Sequence, residues 1–402
     1  MAPSNLQSRS TSLLPSVWGW LRRNLFSTWY NSLLTLISVW VVYQGGRGLW
    51  VWMFTQAQWT VLQVNLRLFL IGRFPIEQIW RVWLVAVIVA AVASFTAGII
   101  QLNRRAVIGV GVITVAGLGI VPLVGGQVPE ILWVLAMGGI VIMNLLLGPR
   151  YATYLPKRLL SQGLPLLWLL TLFVVLWLLS GGWGLSSIET NVWQGLLLTL
   201  LTAVISIGLS FPLGVLLALG RRSSLPVVRA LSILYIEVVR GLPLIGILFI
   251  AGVMLPLILP SQIRMDDVLR AICGLTLFSA AYLAENVRGG LQSIPSGQIE
   301  AAQALGLSPV LVLGLIVLPQ ALRSVIPAIV GQFIGLFKDT SLLSLIGLVE
   351  LTGISRSILS QPRFIGRHGE VYLFIGLLYW LFCYLMSQAS RRLERQLGVK
   401  GH

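Results

Sequence analysis

Residues 285–320 read ENVRGGLQSIPSGQIEAAQALGLSPVLVLGLIVLPQ, a punctuated stretch set among apolar runs of membrane length. It carries start and stop signals for two short helices. Pro295 and Ser296 open the first, with Ser296 as the expected N-cap. Ala301, Ala302, Ala304 and Leu305 extend it with strong helix formers. Gly306 is placed to close it in a left-handed C-cap conformation. Ser308 and Pro309 begin the second helix as N-cap and first helical residue, and Pro319 disturbs it. Two capped helices are more than a connection between spans requires. The stretch predicts a surface gripped by another protein.

The rest of the chain places that surface in a membrane protein. Of 402 residues, 57% are hydrophobic and only 10% are charged, against about 25% charged in a soluble domain. The deficit predicts an all-α integral membrane protein. The net charge of +16 would hint at nucleic acid in a soluble chain. No basic cluster is interleaved with aromatics here, so a nucleic-acid partner is rejected and the charge is read as the basic bias of short cytoplasmic loops. The two cysteines, Cys273 and Cys383, lie in apolar runs and read as buried thiols rather than a disulfide framework or a metal site. The two histidines, His368 and His402, are too few for a histidine-based catalytic or metal centre. No cleavable signal peptide is evident.

About ten spans are expected, near 32–54, 80–100, 106–125, 130–147, 164–182, 194–219, 230–258, 268–288, 321–347 and 369–388. Basic residues orient them. Arg22 and Arg23 hold the N-terminus inside. Arg104 and Arg105, then Arg150, Lys157 and Arg158, then Arg221, Arg222 and Arg229, then Arg323, fall in successive inside loops, and Arg391, Arg392, Arg395 and Lys400 fall in the basic tail 391–402. Both termini and the loop 290–320 are therefore expected in the cytoplasm. Residues 55–79 break the pattern, because Arg67 and Arg73 fall outside. They are read as an ordered external segment lying on the membrane, with Trp59, Trp80 and Trp83 at the interface. The chain divides near residue 190 into an N-terminal region of about five spans, 1–189, and a five-span region, 190–390. No inverted repeat relates the halves.

The second region holds most of the unusual polar groups. Glu237 and Arg240 are three apart, share a helix face and are placed to pair. Gly241 and Pro243 weaken the helix just beyond them. Glu285 and Arg288 repeat the spacing, one turn after Tyr282. Lys338 and Asp339 are adjacent in Lys338-Asp339-Thr340-Ser341, so they point in different directions. Each needs a partner, a polar cavity or a break in the helix. Two readings stay open for all of these charges: pairs that hold helices or subunits in register, or the lining of a translocation path. No catalytic set emerges, and no G-x-x-x-x-G-K-[ST] phosphate loop is present, so ATP is not bound by that motif.

Several stretches resemble one family. Glu300-Ala301-Ala302, three residues, Gly306, nine residues, then Ile316, Leu318 and Pro319 resemble the cytoplasmic loop of the permease subunits of bacterial ATP-binding-cassette importers. Glu237-x-x-Arg240-Gly241-x-Pro243, Tyr282 to Gly290, Ile294 to Ala302 and Phe337 to Leu342 resemble the polar-amino-acid branch. The longer N-terminal half is similar to general L-amino-acid and glutamate/glutamine uptake permeases. The resemblance implies a type I importer core in the last five spans and a multi-pass protein of the inner membrane. It implies a substrate that is an L-amino acid. It also implies cytoplasmic ATPase subunits that carry ATP and Mg, a second and different permease chain, and an external solute-binding protein. No cofactor is expected in this chain, which is read as a transport component and not an enzyme. The competing classes are an ion-coupled secondary transporter, which needs no partner ATPase, and a non-transporting scaffold or sensor on the same fold.

Overall fold

A computed structural model describes residues 17–99, 128–154, 156–260, 262–396 and 398, which are helical with no strands. Its contacts divide the chain into two compact units, 1–59 and 60–402. The first holds α1 (Val17–Asn24) and α2 (Trp29–Val51). Thr28 caps α2 by accepting from the Asn31 amide at 3.4 Å. A wide turn over Trp52–Gln56 follows, where Trp59 donates through Nε1 to the Met53 carbonyl at 3.0 Å. None of the residues of α2 is buried.

The second unit contains α3 (Thr60–Ile71), α4 (Ile79–Ile99), α5 (Val128–Tyr154), α6 (Lys157–Ser180), α7 (Gly195–Arg221) and α8 (Pro226–Gly241). It continues with α9 (Leu244–Phe249), α10 (Leu255–Ile258), α11 (Asp267–Gln292), α12 (Ser296–Ala304), α13 (Pro309–Leu311), α14 (Leu318–Asp339), α15 (Leu351–Leu359) and α16 (His368–Gln396). Among the described residues, seven segments are long and apolar enough to cross a bilayer. An eighth crossing results if Pro226–Gly241 and Leu244–Ile258, bent by 104°, count as one. The bend falls at Leu242-Pro243, where proline removes a backbone donor after a weakened helix end. The expected span 32–54 falls on α2, which is not among these seven. The expected span 106–125, together with Arg104, Arg105 and Lys400, lies outside the described residues.

The span within α11 is by far the most buried of the seven. It packs along α7, where Gly214 lets Leu283 and the Ala280 carbonyl approach closely. Ala218, Leu283, Ala284, Val287 and Leu291 then share a core with Val317, Ala321 and Ile329 of the following helix region. A side pair, α4 and α5, is joined by small and amide residues. The backbones of Gly98 and Gly148 meet, and Asn144 donates to the Ala91 carbonyl and to Ser94 Oγ, both at 3.0 Å.

The segment expected to lie on the lipid surface is packed on the core. Val61, Asn65 and Phe69 of α3 recur every four residues on one face and are all buried. Val61 and Phe69 join Leu351, Ile354 and Ile358 of α15 and Val371 and Ile375 of α16, while Gln361 donates to Asn65 Oδ1 at 3.1 Å. Arg67, out of place by the charge rule, donates to the Phe74 carbonyl at 2.8 Å and fixes the turn after α3. Arg81, also buried, holds the 178–186 connection through the Ser186 carbonyl at 2.9 Å and Ser186 Oγ at 2.8 Å. These arginines serve the fold, so their charge says nothing about sidedness.

Gly195 opens α7 at φ +62, and a Cβ there would stand 2.5 Å from the Phe69 carbonyl oxygen. Gly195→Ala is therefore expected to lower the thermal midpoint of the purified protein, through left-handed strain of about 1–3 kcal/mol plus the clash. Gly208→Ala on the same helix has nothing within 4 Å and is expected to leave the midpoint unchanged or higher.

Candidate functional site

The loop between α11 and α14 is built as a rigid corner. α12 covers Ser296–Ala304, and Leu305 is its C-cap. Gly306 follows at φ +79. Its amide donates to the Gln303 carbonyl at 2.9 Å, and the Leu307 amide donates to the Ala302 carbonyl at 3.2 Å. These two bonds make a Schellman motif, which satisfies helix-end carbonyls and requires a left-handed residue at Gly306. Leu307 and buried Ala302 join the same apolar cluster beneath the corner. Ala302 thus roots the loop in the core. Glu300 and Ala301 stay exposed, as do Leu305 at 82% and Val310 at 78%.

The structure corrects two expectations about this loop. Ser296 is the first helical residue, and the cap position belongs to Pro295, with no side-chain cap. The second loop helix is also not separate from the span. Ser308 and Pro309 do begin it, but α13 runs through a wide π turn, Val312–Val317, directly into α14. The apolar segment therefore covers Pro309–Ile346 rather than starting near 321. Pro319 has no amide to donate, and the widened turn absorbs that loss where Pro319 enters α14. Ile316 is half-buried against the loop core with Leu318, and Pro319 is exposed. The motif thus becomes a lever: a short capped helix, a fixed corner, then a helix that runs through the bundle.

A charge network gathers beside this corner. Glu285 is its hub, with its side chain 16% exposed. It accepts from Arg288 at 2.8 Å and from Arg221 at 2.9 Å, and Arg240 lies 3.7 Å away. Arg221 also reaches Glu237 at 2.8 Å. Arg240 stands over the Tyr282 ring at 5.7 Å. Arg288 ties onward to Gln292 Oε1 at 2.8 Å. Three guanidinium groups against two carboxylates leave one positive charge, shared among α7, α8 and α11. The expected Glu237–Arg240 pair does not form: packing turns Glu237 to Arg221 and Arg240 to Glu285. Glu285 and Arg288 do pair. Arg221 was legible only as an orienting charge. Its place in the network depends on which helix end meets which, and spacing along one helix does not encode that.

Lys338, Asp339, Thr340 and Ser341 stand elsewhere. They lie about 25 Å along the helix from Ala321, which packs at Gly290 beside the network. α14 ends at Asp339 and tightens into a 3-10 turn over Thr340–Ile346, closed by Gly347 at φ +92. The helix thus changes type beside the adjacent charges. Lys338 is exposed, Asp339 and Ser341 are half-buried, and buried Thr340 donates to the Phe337 carbonyl at 2.7 Å. Sequence reading missed one residue nearby. Glu350 is fully buried, and its carboxylate caps α15 by accepting from Thr352 N at 2.7 Å and Gly353 N at 2.8 Å. A lone acidic residue just before a helix start was its available signal.

Residues 210–399 match the family of binding-protein-dependent transport system inner membrane components. The chain is 36% identical over 396 residues to the inner membrane amino-acid ABC transporter permease protein YhdY of Escherichia coli (strain K12), covering 94% of this chain and 93% of that one. It is 37% identical over 411 residues to the glutamate/glutamine/aspartate/asparagine transport system permease protein BztC of Rhodobacter capsulatus, with the same coverage of each chain, 94% and 93%. A shorter relative, the probable glutamine ABC transporter permease protein GlnP of Bacillus subtilis, is 42% identical over 203 residues, 50% of this chain and 92% of its own. A solved amino acid ABC transporter with histidines aligns at 29% identity and TM-score 0.46, over 50% of this chain and 92% of that chain. The chain belongs to the ABC-importer permease family, whose members are inner-membrane transport components that work with a separate ATPase and a binding protein.

Proposed function

We propose that this chain is the permease subunit of an ATP-driven uptake system for L-amino acids, with residues 190–390 as its five-span transporting core. The names of its full-length relatives support the substrate class. The observation that carries the mechanism is the corner at Gly306, which joins the uncovered helix α12 to α13, a helix continuous with a span. Helix α12, through Glu300, Ala301 and Leu305, docks into a groove of a cytoplasmic ATPase. Closure of the ATPase around ATP and Mg moves α12. The corner passes that motion to α11 and α14, and the cavity opens outward to receive the amino acid from the binding protein. The chain itself hydrolyses nothing. Both termini lie in the cytoplasm, and a different permease chain completes the pathway. A Leu305→Cys variant carrying a bifunctional thiol cross-linker is expected to capture an ATP-hydrolysing subunit. Capture of no such subunit by the assembled complex would refute the docking.

The substrate is met at Lys338–Ser341, where an exposed cation and a half-buried carboxylate sit at a break in the helix. A zwitterion offers the opposite charge to each. Lys338→Ala and Asp339→Asn are expected to reduce uptake at limiting amino acid more than at saturation, since each removes substrate binding. Unchanged rate and preference in both variants would assign these charges to helix pairing.

A further inference from the structure

Glu350 is a fully buried carboxylate that stands apart from both the loop corner and the charge network. It precedes α15, which packs against α3, α7, α16 and the 340–346 turn. Three donors fill it: the amides of Thr352 and Gly353, and the Tyr379 hydroxyl of α16 at 3.1 Å. The hydroxyls of Thr340 and Thr352 also lie within electrostatic reach of Tyr379. A hydroxyl can donate to only one of these partners at a time. The chain Glu350–Tyr379–Thr340 therefore ends in the segment proposed to meet substrate.

The surroundings supply no counter-charge. Tyr379 is the ionisable group of α16 that faces Glu350, and Glu370 on the same helix lies beside Arg367. Arg356 of α15 turns to Ser344 Oγ, and Arg67 of α3 turns to the Phe74 carbonyl. The start of α7 offers Thr199, which accepts from the Leu351 amide at 3.1 Å, and that helix carries no ionisable group before Arg221 at its far end. Lys338 and Asp339 precede the 340–346 turn as neighbours of each other. Among the described residues no ion pair reaches Glu350. A cavity of about 500 Å³, lined by Glu189, Asp266 and Asp267 as well as Gly347, Leu348 and Val349, ends at the residue before it, and its three carboxylates add no cation.

We infer that Glu350 is a positioning residue for transport, and that its protonation reverses the Tyr379 hydroxyl and with it the bond offered to Thr340. With the carboxylate ionised, Tyr379 donates to Glu350, and Thr340 gives its own proton to the Phe337 carbonyl, which leaves the Thr340 oxygen free to accept. When Glu350 takes a proton from water, the acid donates to Tyr379 and the phenol must donate onward to Thr340 or Thr352. The proton returns to water when the carboxylate reforms. Burial without a cation pushes the Glu350 carboxyl up to about 7, against the opposing pull of its backbone and Tyr379 hydrogen bonds. The exchange therefore falls near neutral pH.

The inference rests on the amino-acid transport reading, and its test separates the two. The complete transporter, with its ATPase and binding protein, is placed in proteoliposomes. Uptake of a labelled amino acid and the infrared C=O band of protonated carboxyls are followed through a pH series centred on neutrality. Wild-type uptake is expected to fall several-fold on the acid side as a carboxyl band grows. Glu350→Gln, a neutral mimic of the acid, is expected to lose that band and to run at the acid-side rate at every pH. Tyr379→Phe keeps a titrating band but flattens the uptake profile, which separates the relay from a folding defect. A wild-type profile without inflection, an inflection retained in Glu350→Gln, or a band retained in it overturns the inference. A band that titrates as expected with no uptake of any amino acid by wild type supports the protonation and overturns the transport reading.

Discussion

Gly306→Val is expected to abolish ATP-driven uptake while the chain still inserts and accumulates in the membrane. Gly306 sits at φ +79 with nothing within 4 Å of the place a Cβ would take, so a side chain meets backbone strain and no clash. A left-handed conformation costs an ordinary residue about 1–2 kcal/mol, and a β-branched residue is a still poorer occupant. The cheapest relief is to unwind the Schellman bonds from Gly306 to Gln303 and from Leu307 to Ala302. That loss removes the corner and leaves the spans intact, so uptake falls while membrane content holds. Gly306→Asn is the matched control, because asparagine tolerates the left-handed region. It is expected to retain most of the uptake. Equal loss in both variants would point to a need for bare backbone at the docking surface instead of a fixed corner.

Glu285→Ala is expected to cost more than any other single change in the charge network. It leaves Arg221, Arg240 and Arg288 with Glu237 alone, and Glu237 bonds only Arg221. Removing one partner of a fully buried ion pair costs about 3–5 kcal/mol; the arginine side chains here are 24%, 34% and 31% exposed, so solvent screening reduces that cost. Here three cations are affected at the junction of α7, α8 and α11. A large drop in thermal midpoint and loss of uptake are the expected readouts. Glu237→Ala should be far milder, because its side chain is 53% exposed and its one partner keeps Glu285. Comparable losses from the two variants would contradict the assignment of Glu285 as hub.

The features that were legible in the sequence are those governed by neighbours along the chain. Gly306 announced a left-handed cap, Ser308-Pro309 a helix start, and Gly241-Leu242-Pro243 a break; each reflects local backbone chemistry. The Glu285–Arg288 pair followed from helix spacing. What escaped depends on packing between distant segments. Spacing put Glu237 and Arg240 on one face, yet each found its partner on another helix. Composition made α3 a surface segment, but its Val61–Asn65–Phe69 face lies against α15 and α16. Pro319 did mark a disturbed helix, a π turn over Val312–Val317, but not that the helix runs on through it into the span. Glu350 carried only the weak local signal of an acidic residue before a helix start, and its burial against Tyr379, 29 residues away, has no trace along the chain.

The site combines these two kinds of information. The loop motif can be read without a structure because its function needs a local shape. The network beneath it cannot, because it exists only when α7, α8 and α11 converge. The short relative that matches half of this chain shows that related permeases are made at about half the length. In the longer chain, α3 covers part of α15 and brings the backbone of Phe69 against Gly195.

The central claim is that this chain transports only when a separate ATPase grips the loop at Gly306. Uptake of labelled amino acid into proteoliposomes containing the chain, its companion permease and the binding protein, with and without the ATPase subunits, measures it directly. Uptake is predicted only when the ATPase and internal ATP are both present, and it should be lost with Gly306→Val. Uptake without the ATPase, driven by a proton or sodium gradient, would contradict the account and make the chain an ion-coupled carrier.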